Sequence, residues 1–218
     1  MPNIARPRLR QQAFSDARFQ PNSCTLCLFA QQKVEQPFFF NPQGDYRFSW
    51  RHPDAPTREI FGLPFYVKLV QQAEAAKFDA VFIADHVAVW DSAASGLKHY
   101  ANARLEPITH ISALAAVTQS IGLMATASTS YNEPYNLARY FASLDHLSNG
   151  RVAWNIVTSW LEEAANYGPV GVAKHSDRYA RATEFITVVK RLWGSWEDDA
   201  LLFDKATGAF ADLKKYIR

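Results

Sequence analysis

The stretch RLEPITHISALAAVTQSIGLMATASTSYNEPYNLARYFASLDHLSNGRVAWNIV, residues Arg104–Val157, decides the fold of this chain. Glu106-Pro107 predicts a helix start, because a proline in the first turn gives up no hydrogen bond that a helix needs. Apolar residues then recur three and four apart, as on one face of a helix: Ile108, Ile111, Leu114 and Ala115. The short apolar run 123–127 predicts a strand that is buried on both faces.

The second half of the stretch repeats the pattern. Asn132-Glu133-Pro134 predicts the start of another helix, with Leu137, Phe141 and Leu144 on its inner face. Asn149-Gly150 predicts its end, because glycine tolerates the left-handed conformation that closes many helices. Residues 151–157 then read as the next strand. Strands that alternate with helices of this length predict an α/β fold with parallel strands and right-handed crossovers.

The flanking sequence extends this alternation in both directions. Residues 24–29 read as a first strand, and residues 80–84 as a second strand after a helix that Pro64 opens. Residues 36–56 read as a long aromatic loop. On the other side, Ser176-Asp177 predicts the cap of a helix that Gly194 ends, and a hairpin is expected around Thr207-Gly208.

Polar or acidic residues follow three of the predicted strands. Asp85 follows the second strand, Ser128-Thr129 the third and Thr158-Ser159 the fourth. In parallel α/β proteins the site lies beyond the carboxyl ends of the strands, so these residues are expected to share one face of the molecule.

Several segments, taken in order, resemble the bacterial-luciferase-like flavin-dependent monooxygenases, in particular the group of nitrilotriacetate monooxygenase component A, dibenzothiophene-sulfone monooxygenase and long-chain alkane monooxygenase. They span most of the chain from the WRHP motif onwards. These segments are WRHP (50–53), KFDAVFIAD (77–85), RLEP (104–107), ATAST (125–129), YNEPY (131–135), FASLDH (141–146), WNIVTS (154–159) and WGSWE (193–197).

The resemblance implies a (β/α)8 barrel of the TIM type. Such barrels need about 250 residues or more, and this chain has 218. We therefore expect a half-barrel with the first four or so β/α units, formed by residues 23–218 and truncated at the carboxyl end. Residues 1–22 are expected to be a disordered leader, although their arginines also fit an organelle transit peptide.

The resemblance also implies the residues that bind flavin. Asp85, Thr126, His175 and Tyr179 match flavin-contacting positions of the family, and Ser128 is the alternative next to Thr126. His175 and Tyr179 are four apart at a helix start and so share one face. Asn155 and Thr158, on and beyond the fourth strand, are further pocket candidates. No catalytic residue is assigned, and the histidines do not form a metal-binding spacing.

The implied activity is monooxygenation of a small organic substrate with O2 and reduced FMN (FMNH2), which a separate NAD(P)H:flavin reductase supplies. The chain has no GxGxxG fingerprint for binding a dinucleotide itself. Two alternatives stay open. One is a non-catalytic half-barrel that binds flavin weakly or needs a partner chain. The other is a deazaflavin-dependent oxidoreductase, which the WRHP and YNEP segments disfavour.

Composition excludes several other classes. A net charge of +2 without long basic runs gives no support to nucleic-acid binding, and no apolar run is long enough for a membrane span. The two cysteines, Cys24 and Cys27, have a CxxC spacing that suggests redox chemistry. Buried core thiols are the favoured interpretation, because no second pair exists. Unpaired thiols predict a cytoplasmic protein, and a homo-oligomer is compatible with these features.

Overall fold

The computed structural model describes residues 26–27, 36–44, 46, 48–88, 96–159, 166–167 and 175–216, so the predicted leader and Cys24 lie outside it. The helices are α1 (Leu63–Ala75), α2 (Gly96–His99), α3 (Pro107–Ala115), α4 (Pro134–Ser148) and α5 (His175–Trp193). The strands are β1 (Leu26–Cys27), β2 (Pro37–Phe39), β3 (Ala80–Ile83), β4 (Gly122–Ser128), β5 (Val152–Val157), β6 (Leu201–Asp204) and β7 (Ala209–Ala211). None of the described helices is both long and apolar enough to cross a membrane.

Five strands form one sheet in the order β1-β5-β4-β3-β2. β2, β3, β4 and β5 pair with one another in parallel, and at least one helix lies between each strand and the next. Four parallel strands with intervening helices are the predicted arrangement, that of part of a TIM barrel. All seven residues of β4, the middle strand, are buried, as its apolar sequence predicts.

Helix α3 begins where the sequence predicts. The Glu106 carboxylate accepts hydrogen bonds from the backbone amides of Ile108 at 2.9 Å and Thr109 at 2.6 Å, which satisfies two donors that the helix itself leaves unpaired. The carboxylate also favours the positive end of the helix dipole. On the predicted inner face of α3, Ile111 and Leu114 are fully buried, Ala115 is buried and Ile108 is half-buried.

Helix α4 ends in two left-handed residues, Asn149 at φ 59° and Gly150 at φ 83°. The Gly150 amide donates to the Asp145 carbonyl at 2.8 Å, which closes the helix as predicted. On the buried face, the Phe141 ring stacks on Trp154 of β5 with the ring centroids 5.5 Å apart. The Trp154 indole donates to the Ala127 carbonyl at 3.0 Å, so this core residue leaves no polar atom unpaired.

The predictions for the edges of the sheet are wrong. Leu26–Cys27 lie antiparallel to β5, opposite Ile156 and Asn155, and do not form a parallel strand beside β3. The parallel strand beside β3 is instead Pro37–Phe39, which lies in the segment predicted to be a loop. Aromatic contacts hold it there. Phe38 packs edge-on against Phe78 and Phe39 against Phe82, with centroids 5.3 and 5.1 Å apart.

The predicted hairpin is confirmed as β6 and β7, which pair with each other outside the main sheet. Its turn contains Gly208 at φ 75°, a conformation that glycine adopts without strain. The Asp204 carboxylate accepts hydrogen bonds from the amides of Ala206 and Thr207 and from the Thr207 hydroxyl. The turn is therefore fixed locally, without help from the barrel.

Candidate functional site

The carboxyl ends of β3, β4 and β5 meet around a cavity of about 80 Å³. It brings together three of the predicted site residues, Asp85, Thr126 and Ser128. Because β4 alternates its side chains, Thr126 and Ser128 face the same side of the sheet. The remaining lining residues are His86, Val87, Val157 and Ser159.

Serine hydroxyls connect the ends of β4 and β5. The Ser159 hydroxyl donates to the Ser128 hydroxyl at 2.7 Å, and the Ser130 amide donates to the same oxygen at 3.1 Å. The Ser130 hydroxyl in turn donates to the Thr158 carbonyl at 2.7 Å. Two hydrogen bonds thus hold the Ser128 hydroxyl in place where it lines the cavity.

Asn155 lies behind Thr126 and is buried. Its Nδ2 donates to Thr126 Oγ1 at 2.9 Å, which fixes both side chains. Its Oδ1 is a buried acceptor with no hydrogen-bond partner among the described residues. Asn155 itself lines neither cavity, so it acts on the site by holding the hydroxyl of Thr126, which lines the smaller one.

The sequence prediction named Thr158 as a pocket residue, but its neighbour Ser159 is the one that lines the cavity. Thr158 instead contributes its carbonyl to Ser130. The backbone of Ser159 is left-handed at φ 57°, which is strained for a residue other than glycine and is frequent at functional sites. Sequence reasoning placed Ser159 at the end of the strand but had no signal for this turn.

The start of α5 is tied to the same strand ends. Arg178 Nη1 donates to the Ser159 carbonyl at 2.6 Å, and Arg181 Nε donates to the Thr129 carbonyl at 3.1 Å. Arg178 Nε is buried and has no hydrogen-bond partner among the described residues. Tyr179 is half-buried in this turn, and His175 begins the helix with a side chain that lies outside the described part. Sequence reasoning missed Arg178, although it lies between the two predicted residues His175 and Tyr179.

A second, larger cavity of about 330 Å³ adjoins the first, and Asp85 and His86 line both. It lies beyond the ends of β2 and β3 and reaches the residues that precede α3. Ligand pockets measure about 300–1,000 Å³, so the larger cavity alone falls within this range and the smaller one does not. Together they form one candidate site on the face that the sequence predicts.

No group of three or more histidine, cysteine, aspartate or glutamate side chains suited to a metal ion occurs within the described ranges. The polar groups at the site are hydroxyls, amides, a carboxylate and guanidinium groups. This donor set is suited to a polar organic ligand or an anion.

The sequence profile of the luciferase-like monooxygenases matches residues 45–207. Two similar curated proteins are N-acetyl-S-(2-succino)cysteine monooxygenase of Bacillus subtilis (strain 168), 46% identical over 84% of this chain, and nitrilotriacetate monooxygenase component A of Aminobacter aminovorans, 44% identical over 85%. The aligned part is 41% and 43% of those proteins, so the chain spans about two fifths of their length.

Solved structures of enzymes are also similar to this chain. Long-chain alkane monooxygenase matches with a TM-score of 0.78 and 35% identity over 86% of this chain and 45% of its own. Riboflavin lyase, solved with modified FMN and the substrate riboflavin, matches with a TM-score of 0.74 and 37% identity over 86% and 44%. The resemblance of the sequence segments is thereby confirmed. The chain belongs to the luciferase-like monooxygenase family.

Proposed function

We propose that the chain forms part of a monooxygenase that uses reduced FMN and O2 to transfer one oxygen atom to a small organic substrate. A separate NAD(P)H:flavin reductase supplies the reduced flavin. The single observation that carries this proposal is the polar floor at the ends of β4 and β5, where the hydroxyls of Thr126, Ser128 and Ser159 line one cavity.

The residues present fit a flavin. One edge of its ring carries alternating donors and acceptors, which suits the hydroxyls of Thr126, Ser128 and Ser159 that line the smaller cavity. Asp85 lines both cavities and would contact the ring where it passes from one to the other. Asn155 orients Thr126 through the hydrogen bond at 2.9 Å, so this amide acts on the ring through the Thr126 hydroxyl.

The start of α5 fits the phosphate. A helix N-terminus presents free amides and a positive dipole end to an anion, and guanidinium groups bind phosphate through charge-assisted hydrogen bonds. Arg178 has a buried Nε without a partner among the described residues, and its Nη1 holds the Ser159 carbonyl. His175 and Tyr179 are proposed to complete this part of the site.

When bound, reduced FMN supplies the electrons for the activation of O2, and the protein provides orientation and shielding. The hydroxyl of Ser128, held by Ser159 and by the Ser130 amide, would orient the ring. The aromatic residues around the larger cavity exclude water from the place that the substrate would occupy.

The test is equilibrium dialysis of photoreduced FMN under nitrogen. We expect the Ser128→Ala/Ser159→Ala double variant to bind at least tenfold more weakly than the parent chain, because it loses two hydroxyls of the floor. Ser143→Ala, on the exposed face of α4, is the matched control. Equal affinity of all three proteins for reduced FMN would contradict the proposal.

A second candidate function is a non-catalytic half-barrel that needs another chain. In the described part of the chain the five-stranded sheet is open at β1 and β2, and an open strand edge can pair with another chain. Size-exclusion chromatography together with the flavin titration separates the two. A chain that stays soluble but binds no flavin alone, and binds it after association with a second chain, supports this candidate.

A further inference from the structure

Three rings form one wall of the larger cavity. Phe40, Tyr66 and His110 are all buried, and all three line the cavity. The centroid of Tyr66 lies 5.7 Å from that of Phe40 and 4.1 Å from that of His110, and the planes of Tyr66 and His110 are 76° apart. The three rings therefore touch one another and form one continuous aromatic surface, against which a flat ring can pack.

His110 and Tyr66 are the polar members of this wall, and His110 is the one with a buried nitrogen, Nε2, that has no hydrogen-bond partner among the described residues. Burial lowers the pKa of His110 to about 4, against an opposing effect of Glu106, so the imidazole is neutral at pH 7. A neutral imidazole nitrogen either donates or accepts one hydrogen bond, and a buried nitrogen that makes none destabilises the protein.

The charges of the wall disfavour an anionic ligand. Arg104 is the one lysine or arginine among the described lining residues, and it is exposed. Asp85 adds a carboxylate. Sites for polycarboxylates or phosphates depend on several guanidinium or ammonium groups with matched geometry, and the described wall does not contain such a set.

We propose that the larger cavity binds the substrate, that this substrate is an uncharged, ring-containing organic molecule with one hydrogen-bonding group, and that His110 is the specificity-determining residue that bonds this group. The inference rests on the proposed function, because Asp85 and His86 line both cavities and so place this substrate next to the proposed flavin. The imidazole would favour substrates with a hydrogen-bonding group, because a ring without one leaves the imidazole nitrogen unpaired and so binds more weakly.

The test compares two probes of equal shape, 2-naphthol and naphthalene, by isothermal titration at pH 7 without flavin. For the parent chain we expect both to bind. For His110→Leu we expect about tenfold weaker binding of 2-naphthol and unchanged binding of naphthalene, because only the hydrogen bond is lost. Unchanged naphthalene binding also shows that the variant is folded. His146→Leu, an exposed histidine of α4, is the matched control and should bind both probes like the parent.

His110→Gln keeps a hydrogen-bonding group and should bind 2-naphthol within about threefold of the parent affinity. The proposal is overturned if the parent chain binds neither probe, if His110→Leu leaves 2-naphthol binding unchanged, or if the Leu and Gln variants lose it equally. The last two results would mean that His110 only packs against Tyr66. This titration contains no flavin, so it tests the substrate cavity alone. A failure to bind FMN in the dialysis experiment would contradict the proposed function but would not change the outcome of the titration.

Discussion

The Ser159 hydroxyl donates to the Ser128 hydroxyl over 2.7 Å and joins the ends of two parallel strands. Ser159 makes this contact from a left-handed backbone at φ 57°. Its carbonyl accepts from Arg178, so one residue links β4, β5 and the start of α5. The geometry of the candidate site therefore depends on a strained residue that is held on both sides.

Two substitutions at Ser159 distinguish the energetic cost of its strained backbone from the contribution of its hydrogen bond. Ser159→Ala and Ser159→Gly both lose the hydroxyl, but only glycine adopts φ 57° freely. We expect Ser159→Gly to be about 1 kcal/mol more stable than Ser159→Ala. Urea denaturation gives the free energies of unfolding. The same pair at Ser128, in extended strand, is the control and should show the opposite order, because glycine weakens strands.

Thr126→Val should destabilise the chain by about 1–3 kcal/mol, because it leaves Asn155 Nδ2 buried without its acceptor. Adding Asn155→Leu should recover part of the loss, since both partners are then apolar. Thr187→Val, on the exposed face of α5, should change stability by less than about 0.5 kcal/mol. A Thr126→Val variant as stable as the parent would show that the amide finds another acceptor.

Glu74 should make stability depend on pH. Its Oε1 accepts from the amides of Gln119, Ser120 and Ile121 and from the Ser120 hydroxyl. Burial raises the pKa of Glu74, but these hydrogen bonds outweigh it and lower the pKa to about 2. The folded state thus favours the ionised form, and its stabilisation is complete above about pH 4.5 and is lost as the pH falls towards 2.

Glu74→Gln removes this contribution. We expect it to be less stable than the parent at pH 7 and to approach the parent stability as the pH falls below 4.5. Urea unfolding at several pH values between 2.5 and 7 measures the difference, with Glu184→Gln on the surface of α5 as the control. A stability difference that stays constant over this range would refute the assignment.

Arg151→Lys should destabilise the chain by about 2–4 kcal/mol. The guanidinium donates to the carbonyls of Ala115, Thr118, Ile121 and Ser148 and to the Thr118 hydroxyl, and so connects the start of β5 with the segment before β4. A lysine ammonium has three donors and no planar fork, so several carbonyls lose their partner. Arg191→Lys near the end of α5 is the control in the same thermal and urea unfolding measurements.

Local signals allowed prediction of the middle of the chain. The proline and glutamate at the start of α3, the Asn149-Gly150 end of α4 and the apolar run of β4 each specify their structure within a few residues. The grouping of Asp85 with Ser128 followed from the rule that the carboxyl ends of parallel strands meet, whereas Thr126 was implied by the resemblance.

The edge strands β1 and β2 could not be predicted from local signals, because the pairing of an edge strand depends on contacts with residues far away in the sequence. Nothing in PFF (37–39) distinguishes a strand from an aromatic loop until Phe78 and Phe82 are placed opposite it. Ser159 and Arg178 were missed as site residues for a similar reason, since their roles depend on a turn conformation and on a contact between residues 19 apart.

The burial of β4 sets the order in which the backbone opens. β4 has paired neighbours on both sides and no exposed residue, whereas β2 pairs with a single strand and exposes Pro37 and Phe39. Opening of β2 frays one edge, but solvent reaches the β4 amides only after the layers around them separate. In deuterium oxide the β4 amides should therefore retain their protons longest, and their exchange rate would report the global unfolding of this part of the barrel.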